Sequence, residues 1–247
     1  MIDWLRRPLR EPAAPIAPKT IMVGERELPL VVRRLGHARR MTLRLAPDGS
    51  EARISLPAWG RVGDAVDFAR ARSDWLARQL ERLPAPHLME PGGTLPYRGE
   101  ALRIEWYDRA PRRPVLDDGA VVVGGTTEGL KGRLQRWLEA EALRLTSEDL
   151  AHYCMMGGHA VPRLALSRAQ RRWGSCAADG TIRINWRLVM APDAVRRSVV
   201  AHEVAHLAHF DHSPAFHAHL ADLFEGSVAQ ANEWLRLHGR TLYQPFG

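Results

Sequence analysis

One run in the last quarter of the chain limits the fold more than any other. Val199, Val200, Ala201, Val204, Ala205, Leu207 and Ala208 form a helix that is apolar on nearly every side, which reads as buried. His202, Glu203 and His206 are set into it. Such groups are costly to bury without partners, and one bound cation would satisfy them together. Pro192 is placed to be the first residue of this helix, which the pattern carries to about Phe210.

His202 and His206 are four residues apart, so their rings share a helix face about 6 Å apart along the axis and can converge on one ion. Glu203, beside the first of them, can take a proton from water activated there, which is the logic of H-E-x-x-H. A third ligand is needed. His209 shares the face but lies about 10 Å along the axis from His202. His212 reaches the same point only if the helix ends first. Asp211 and then Ser213-Pro214, an N-cap followed by proline, supply that break. His217, one turn into the next helix, is the reserve candidate. Six of the eleven histidines fall between 202 and 219. His219 and His238 read as surface residues, while His37, His87, His152 and His159 carry no partner pattern. Imidazole ligands favour Zn2+, with Ni2+ and other divalent ions left open. Cys176 reads as a packing residue.

The rest of the chain supplies the frame. Residues 1–18 contain four prolines and read as a flexible tail. Residues 19–125 form a β-rich region with one helix. Strand patterns cover Leu28 to Leu35, Met41 to Leu45 and Ala52 to Leu56. A helix spans 61–83 through Val62, Val66, Ala69, Leu76, Leu80 and Leu83, with Pro84 and Pro86 ending it. Strands return over 94–124, with a turn at Asp117-Asp118-Gly119. Residues 126–247 open with a long helix from about 128 to 156, stopped by Gly157-Gly158. Strands follow at Arg163 to Arg168 and Thr181 to Arg187, with a hairpin turn at Ala178-Asp179-Gly180. The soft boundary between the two halves falls near 125, and no internal repeat is visible.

Arg172-Trp173-Gly174-Ser175-Cys176, Ile182-Arg183-Ile184-Asn185, His202-Glu203-Val204-Ala205-His206 and His212-Ser213-Pro214-Ala215-Phe216 occur in this order. In order and spacing they resemble the YgjP-like metallopeptidase-domain family, and the resemblance covers most of residues 20–240. It implies an α+β fold: a zincin-like catalytic domain, a small sheet plus an active-site helix, preceded by a β-rich N-terminal half. It implies His202, His206 and His212 as metal ligands and Glu203 as the catalytic carboxylate. Val204 stands where leucine is usual, Asp211 where asparagine is usual and His217 where tryptophan is usual. Arg172, Ser175, Arg183 and Asn185, on the two strands, are candidates to contact substrate.

Two substrate classes follow. A peptide or protein would pair with an exposed strand edge near 181–187. Members of the family are known as pyrophosphatases acting on UTP, so the resemblance also allows a nucleotide, whose phosphates Arg168, Arg171, Arg172, Arg183 and Arg187 would meet. A third reading, a protease delivered to nucleic acid, rests on Arg33, Arg34, Arg39, Arg40 and Arg44. The net charge of +7 is carried almost wholly by scattered arginine, lysine occurring only at Lys19 and Lys131, so nucleic acid is not an expected partner. The two cysteines, Cys154 and Cys176, form no Cys-x-x-Cys pattern and fit a reducing cytoplasm. No signal-like or membrane-spanning run is present, and the oligomeric state has no signature in the sequence.

Overall fold

A computed structural model describes residues 19–83 and 89–246. The expected tail over 1–18, the helix-ending Pro84 and Pro86, and His87 lie outside the described residues. Contacts divide the chain into two compact units, Met1–Leu83 and Pro84–Gly247.

The first unit is a four-stranded sheet with two helices. Its strands are β1 (Lys19–Val23), β2 (Arg26–Leu35), β3 (Thr42–Leu45) and β4 (Ala52–Pro57), in the order β1-β2-β4-β3. The central β2–β4 pair is parallel and both outer pairs are antiparallel. Alternation puts Leu28, Leu30 and Val32 of β2 and Ala52, Ile54 and Leu56 of β4 on one buried face. α1 (Val62–Arg70) and α2 (Ser73–Glu81) cover that face with Ala65, Val66, Ala69 and Leu76. The single helix expected over 61–83 is therefore two. Arg72 leaves the helical region at φ −119°, and Ser73-Asp74 open the next helix. One apolar period runs through both because both pack on the same sheet.

In the second unit, β5 (Thr94–Tyr97), β6 (Glu100–Trp106), β7 (Val115–Asp117) and β8 (Ala120–Val123) repeat the order and strand senses of the first sheet, as β5-β6-β8-β7. The repeat is one of topology. Strand pairing needs only alternation and turns, so it leaves no residue-level repeat in the sequence. The β7–β8 turn falls at Asp118-Gly119 as expected, with both residues at positive φ. α3 (Leu130–Met156) lays Leu130, Leu134 and Leu138 into one core with Leu95, Leu102, Ile104, Val121 and Val123. That shared core is why the units divide at Leu83–Pro84, whereas the sequence suggested a boundary near 125.

The third sheet has the order β10-β11-β9, from β9 (Leu164–Ser167), β10 (Gly174–Cys176) and β11 (Ile182–Asn185). β11 ends earlier than the expected Arg187. The Asn185 side chain accepts a hydrogen bond from the Arg187 backbone N–H and caps a 3-10 turn over Trp186–Met190. α4 (Asp193–Ala205) packs on β10, β11 and α3. Two contacts fix its position. At its start, the Arg98-Gly99 turn of the β5–β6 hairpin donates backbone bonds to the carbonyls of Val189 and Met190, and Pro192 occupies the space a Gly99 Cβ would need. Along its length, buried Arg196 donates to Asp149 of α3 at 2.7 Å. α5 (Pro214–Leu223) and α6 (Val228–His238) complete the unit. The fold is α+β with small sheets and six helices among the described residues. None of these helices is long and apolar enough to cross a membrane.

Candidate metal centre

The helix carrying His202 and His206 stops where it must for His212 to return. α4 ends at Ala205, short of the expected end near Phe210, and the chain tightens through i→i+3 bonds, Leu207 to Val204 and Ala208 to Ala205. Asp211 accepts from the Ser213 N–H, and Ser213 caps α5 by accepting from the Phe216 N–H, with Pro214 in the first turn. His212 sits on the corner so formed. The side-chain nitrogens of His202, His206 and His212 all lie within 4.8 Å of one another.

The donor set fits a divalent ion of zinc type. His202 Nε2 and His212 Nε2 are 3.3 Å apart. Two nitrogens at ordinary zinc distances and a tetrahedral angle lie about 3.3 Å apart. The Nδ1 of His206 is 2.9 Å from the His209 carbonyl, and donation to that oxygen leaves Nε2 as the free lone pair. Burial, with His206, His212 and His217 nearby, pushes the His202 pKa down to about 4, so its ring is neutral at pH 7 and able to ligate. The ring of buried Phe216 lies 4.6 to 4.9 Å from all three imidazoles and holds them as a set. His217 stands behind, 6.4 Å from His212 between ring centres.

Glu203 faces the sheet. It is 6% exposed, and burial pushes its pKa up to about 7, opposed by a hydrogen bond from the Cys176 backbone and by the charge of Arg172. Its carboxylate occupies the space a side chain at Gly174 would take: a Cβ there would lie 2.3 Å from Glu203 Oε1. Gly174→Ala is therefore expected to displace the carboxylate while leaving the histidines alone. Turnover should fall by about 100-fold or more, with metal content unchanged. Parallel measurements of kcat and bound metal check this, and a variant with ordinary kcat would show that Glu203 tolerates displacement.

The raised pKa also has a stability consequence in the metal-free protein. A carboxyl raised from 4.5 to about 7 on folding stabilises the fold below pH 4.5 and loses that contribution as pH rises through 7. Metal-free Glu203→Gln is thus expected to be more stable than the metal-free parent at pH 8, by about 3 kcal/mol at most, and close to equal at pH 4. Urea unfolding at the two pH values checks it; a difference independent of pH would mean that Glu203 is not desolvated.

The four proposed substrate contacts divide. Arg172 is exposed and acts on Glu203, so it is at the site. Ser175 pairs with Arg183 across β10–β11, whereas Gly174 and Cys176 pair with the buried Ile184 and Ile182. Alternation puts Ser175 and Arg183 on the sheet face opposite Glu203. Asn185 is fully buried, and its amide is used on the Ala169 carbonyl and the Arg187 N–H. The strand edge expected near 181–187 is also displaced. β11 lies between β9 and β10, and the strand with an open side next to Glu203 is β10. Gly174, the Cys176 N–H and the His209 carbonyl were not legible in the sequence, since contributions from backbone and from an absent Cβ leave no motif of their own.

A family model described as YgjP-like, metallopeptidase domain matches residues 39–238. No curated protein and no solved structure matches the chain.

Proposed function

Because the chain belongs to the YgjP-like metallopeptidase-domain family, we propose that it is a zinc-dependent peptidase, with His202, His206 and His212 as ligands and Glu203 as general base and acid. The observation that carries this reading is the convergence of three imidazoles within 4.8 Å of one another, with the buried carboxylate of Glu203 next to the first of them on the same helix. Zinc held there would act as a Lewis acid, lowering the pKa of a water and polarising the scissile carbonyl. An extended peptide would add to the open side of β10 through backbone hydrogen bonds, and its scissile carbonyl would then come beside Glu203. Glu203 takes one proton from the attacking water on a carboxylate oxygen. It then delivers that proton to the amine nitrogen as the C–N bond breaks. Burial raises this carboxyl in the metal-free protein, and the charge of a bound divalent ion would draw it back toward the ionised form that accepts the proton. The Cys176 backbone bond and then the charge of Arg172 oppose the rise that burial causes in this carboxyl.

The nucleotide reading uses the same histidines but asks for several cations around phosphates. Of the arginines considered, Arg168 pairs with Glu139, Arg183 faces away, and buried Arg187 stacks on Trp186 and Tyr243. Arg171 and Arg172 are left exposed, and Arg172 acts on Glu203; two cations are fewer than a triphosphate asks for, which favours peptide over triphosphate. The test is elemental analysis of the purified protein followed by a paired assay on an unfolded protein and on UTP. One zinc per chain with proteolysis supports the proposal, and UTP cleavage without proteolysis replaces it with the pyrophosphatase reading. Failure to hold any divalent metal sinks both.

A further inference from the structure

The second unit has a cavity of about 810 Å³ at the N-terminal end of α3 that the metal chemistry does not use. Four arginines line it: Arg112, Arg113, Arg133 and Arg136. Among the described residues none of the four is in an ion pair. Arg133 is 8% exposed, and its Nε is buried without a hydrogen-bond partner, while Nη2 donates to the Thr126 carbonyl. A guanidinium buried without an opposing charge is costly, by several kcal/mol for an isolated ion after relaxation. The surroundings make room for it. A Cβ at Gly129 would lie 2.6 Å from Arg133 Nη1, and one at Gly125 would lie 3.2 Å from both Arg133 Cζ and Arg112 Nε. Two like charges thus flank one point. Arg136 reaches back over Gly132 toward the same helix end.

The helix adds to this field. α3 has 27 residues, its N-cap is Gly129 with no side-chain cap, and no acidic residue lies in its first turn. Leu130 N–H donates to the Thr127 carbonyl, and the positive end of a long helix, with the N–H groups of Lys131 and Gly132, is left for a ligand. Of the two carboxylates at the cavity, Glu141 is engaged by Arg144 and Tyr97, and Glu128 is exposed. Trp137 forms an aromatic wall, tilted against Tyr97 with ring centres 5.1 Å apart. The volume lies within the range of small-molecule sites and far exceeds that of a bare anion.

We propose that this cavity binds a small organic molecule through its phosphate group, the phosphate lying among Arg112, Arg133 and Arg136 at the α3 terminus and the organic part against Trp137. Arginine fits phosphate oxygens with paired, charge-assisted hydrogen bonds, and an anion in the cavity would supply the opposing charge that Arg133 does not find in an ion pair among the described residues. The site is separate in its residues from the histidine centre and does not depend on what that centre hydrolyses.

Calorimetric titration of the zinc-loaded protein with inorganic phosphate and with phenyl phosphate tests it. Both should bind, phenyl phosphate the more tightly. The double variant Arg112→Ala/Arg136→Ala removes two exposed side chains and should weaken both by about tenfold or more, with zinc content unchanged. Four results would overturn the proposal. They are no binding of either probe, equal binding by parent and variant, loss of binding in His212→Ala but not in the arginine variant, which would put the phosphate on the metal, or a single-stranded oligonucleotide binding more tightly than phenyl phosphate, which would make the cavity part of a nucleic-acid groove.

Discussion

Glu203→Gln is expected to keep its full complement of metal and lose about 1,000-fold or more in turnover. The substitution preserves shape and removes only the ability to take up and release a proton. The ligand cluster does not include this side chain, so binding of the ion should be untouched. The hydrogen bond from the Cys176 backbone can still be accepted by the amide oxygen, so the side chain should stay against Gly174. Measuring kcat together with metal stoichiometry separates the outcomes. Loss of turnover with one metal per chain supports Glu203 as the proton carrier. Ordinary turnover would assign that task to another group, and loss of metal would make Glu203 a ligand.

His212→Ala should weaken metal binding by more than about 100-fold, since even partners that only orient ligands are worth 10- to 100-fold. The effect should exceed what its exposure suggests. The imidazole is exposed, but its Nε2 stands 3.3 Å from that of His202, and the corner that carries it is fixed by Asp211, Ser213 and Phe216. Dialysis against a graded chelator, with metal read by elemental analysis, checks it. If the variant holds metal as tightly as the parent, the third ligand is His217. The fold itself should survive, because an exposed loop residue contributes little to the core.

Much of the site was legible because it rests on spacing along one helix. Four-residue separation places His202 and His206 on one face whatever the helix packs against, and Ser213-Pro214 marks a helix start wherever it occurs. His212 could be reached by that route, with His217 in reserve, since the break before it is local chemistry. The strands around Leu166 and Ile184, the α3 stop at Gly157 and the turn at Asp118-Gly119 were legible for the same reason. Arg183 and Asn185 were not. They lie in the same strand as residues that face the helix, and only pairing across β10–β11 decides which alternate set points toward Glu203.

The sequence by itself thus determined periodicities: two histidines on one helix face, a helix break before a third, and strands with one apolar side. These follow from backbone geometry over a few residues, which the local residues dictate. The tertiary structure alone decided what comes from far along the chain. β10 rather than β11 is the open strand, and Gly174 yields its side-chain space to Glu203. Burial among distant residues is what moves the Glu203 carboxyl to about 7. The same holds for the division at Leu83–Pro84, set by a core that joins strands of the second sheet to α3, and for Arg133, buried at a helix terminus and in no ion pair among the described residues. Desolvation and packing are properties of the assembled neighbourhood, and no window of sequence contains that neighbourhood.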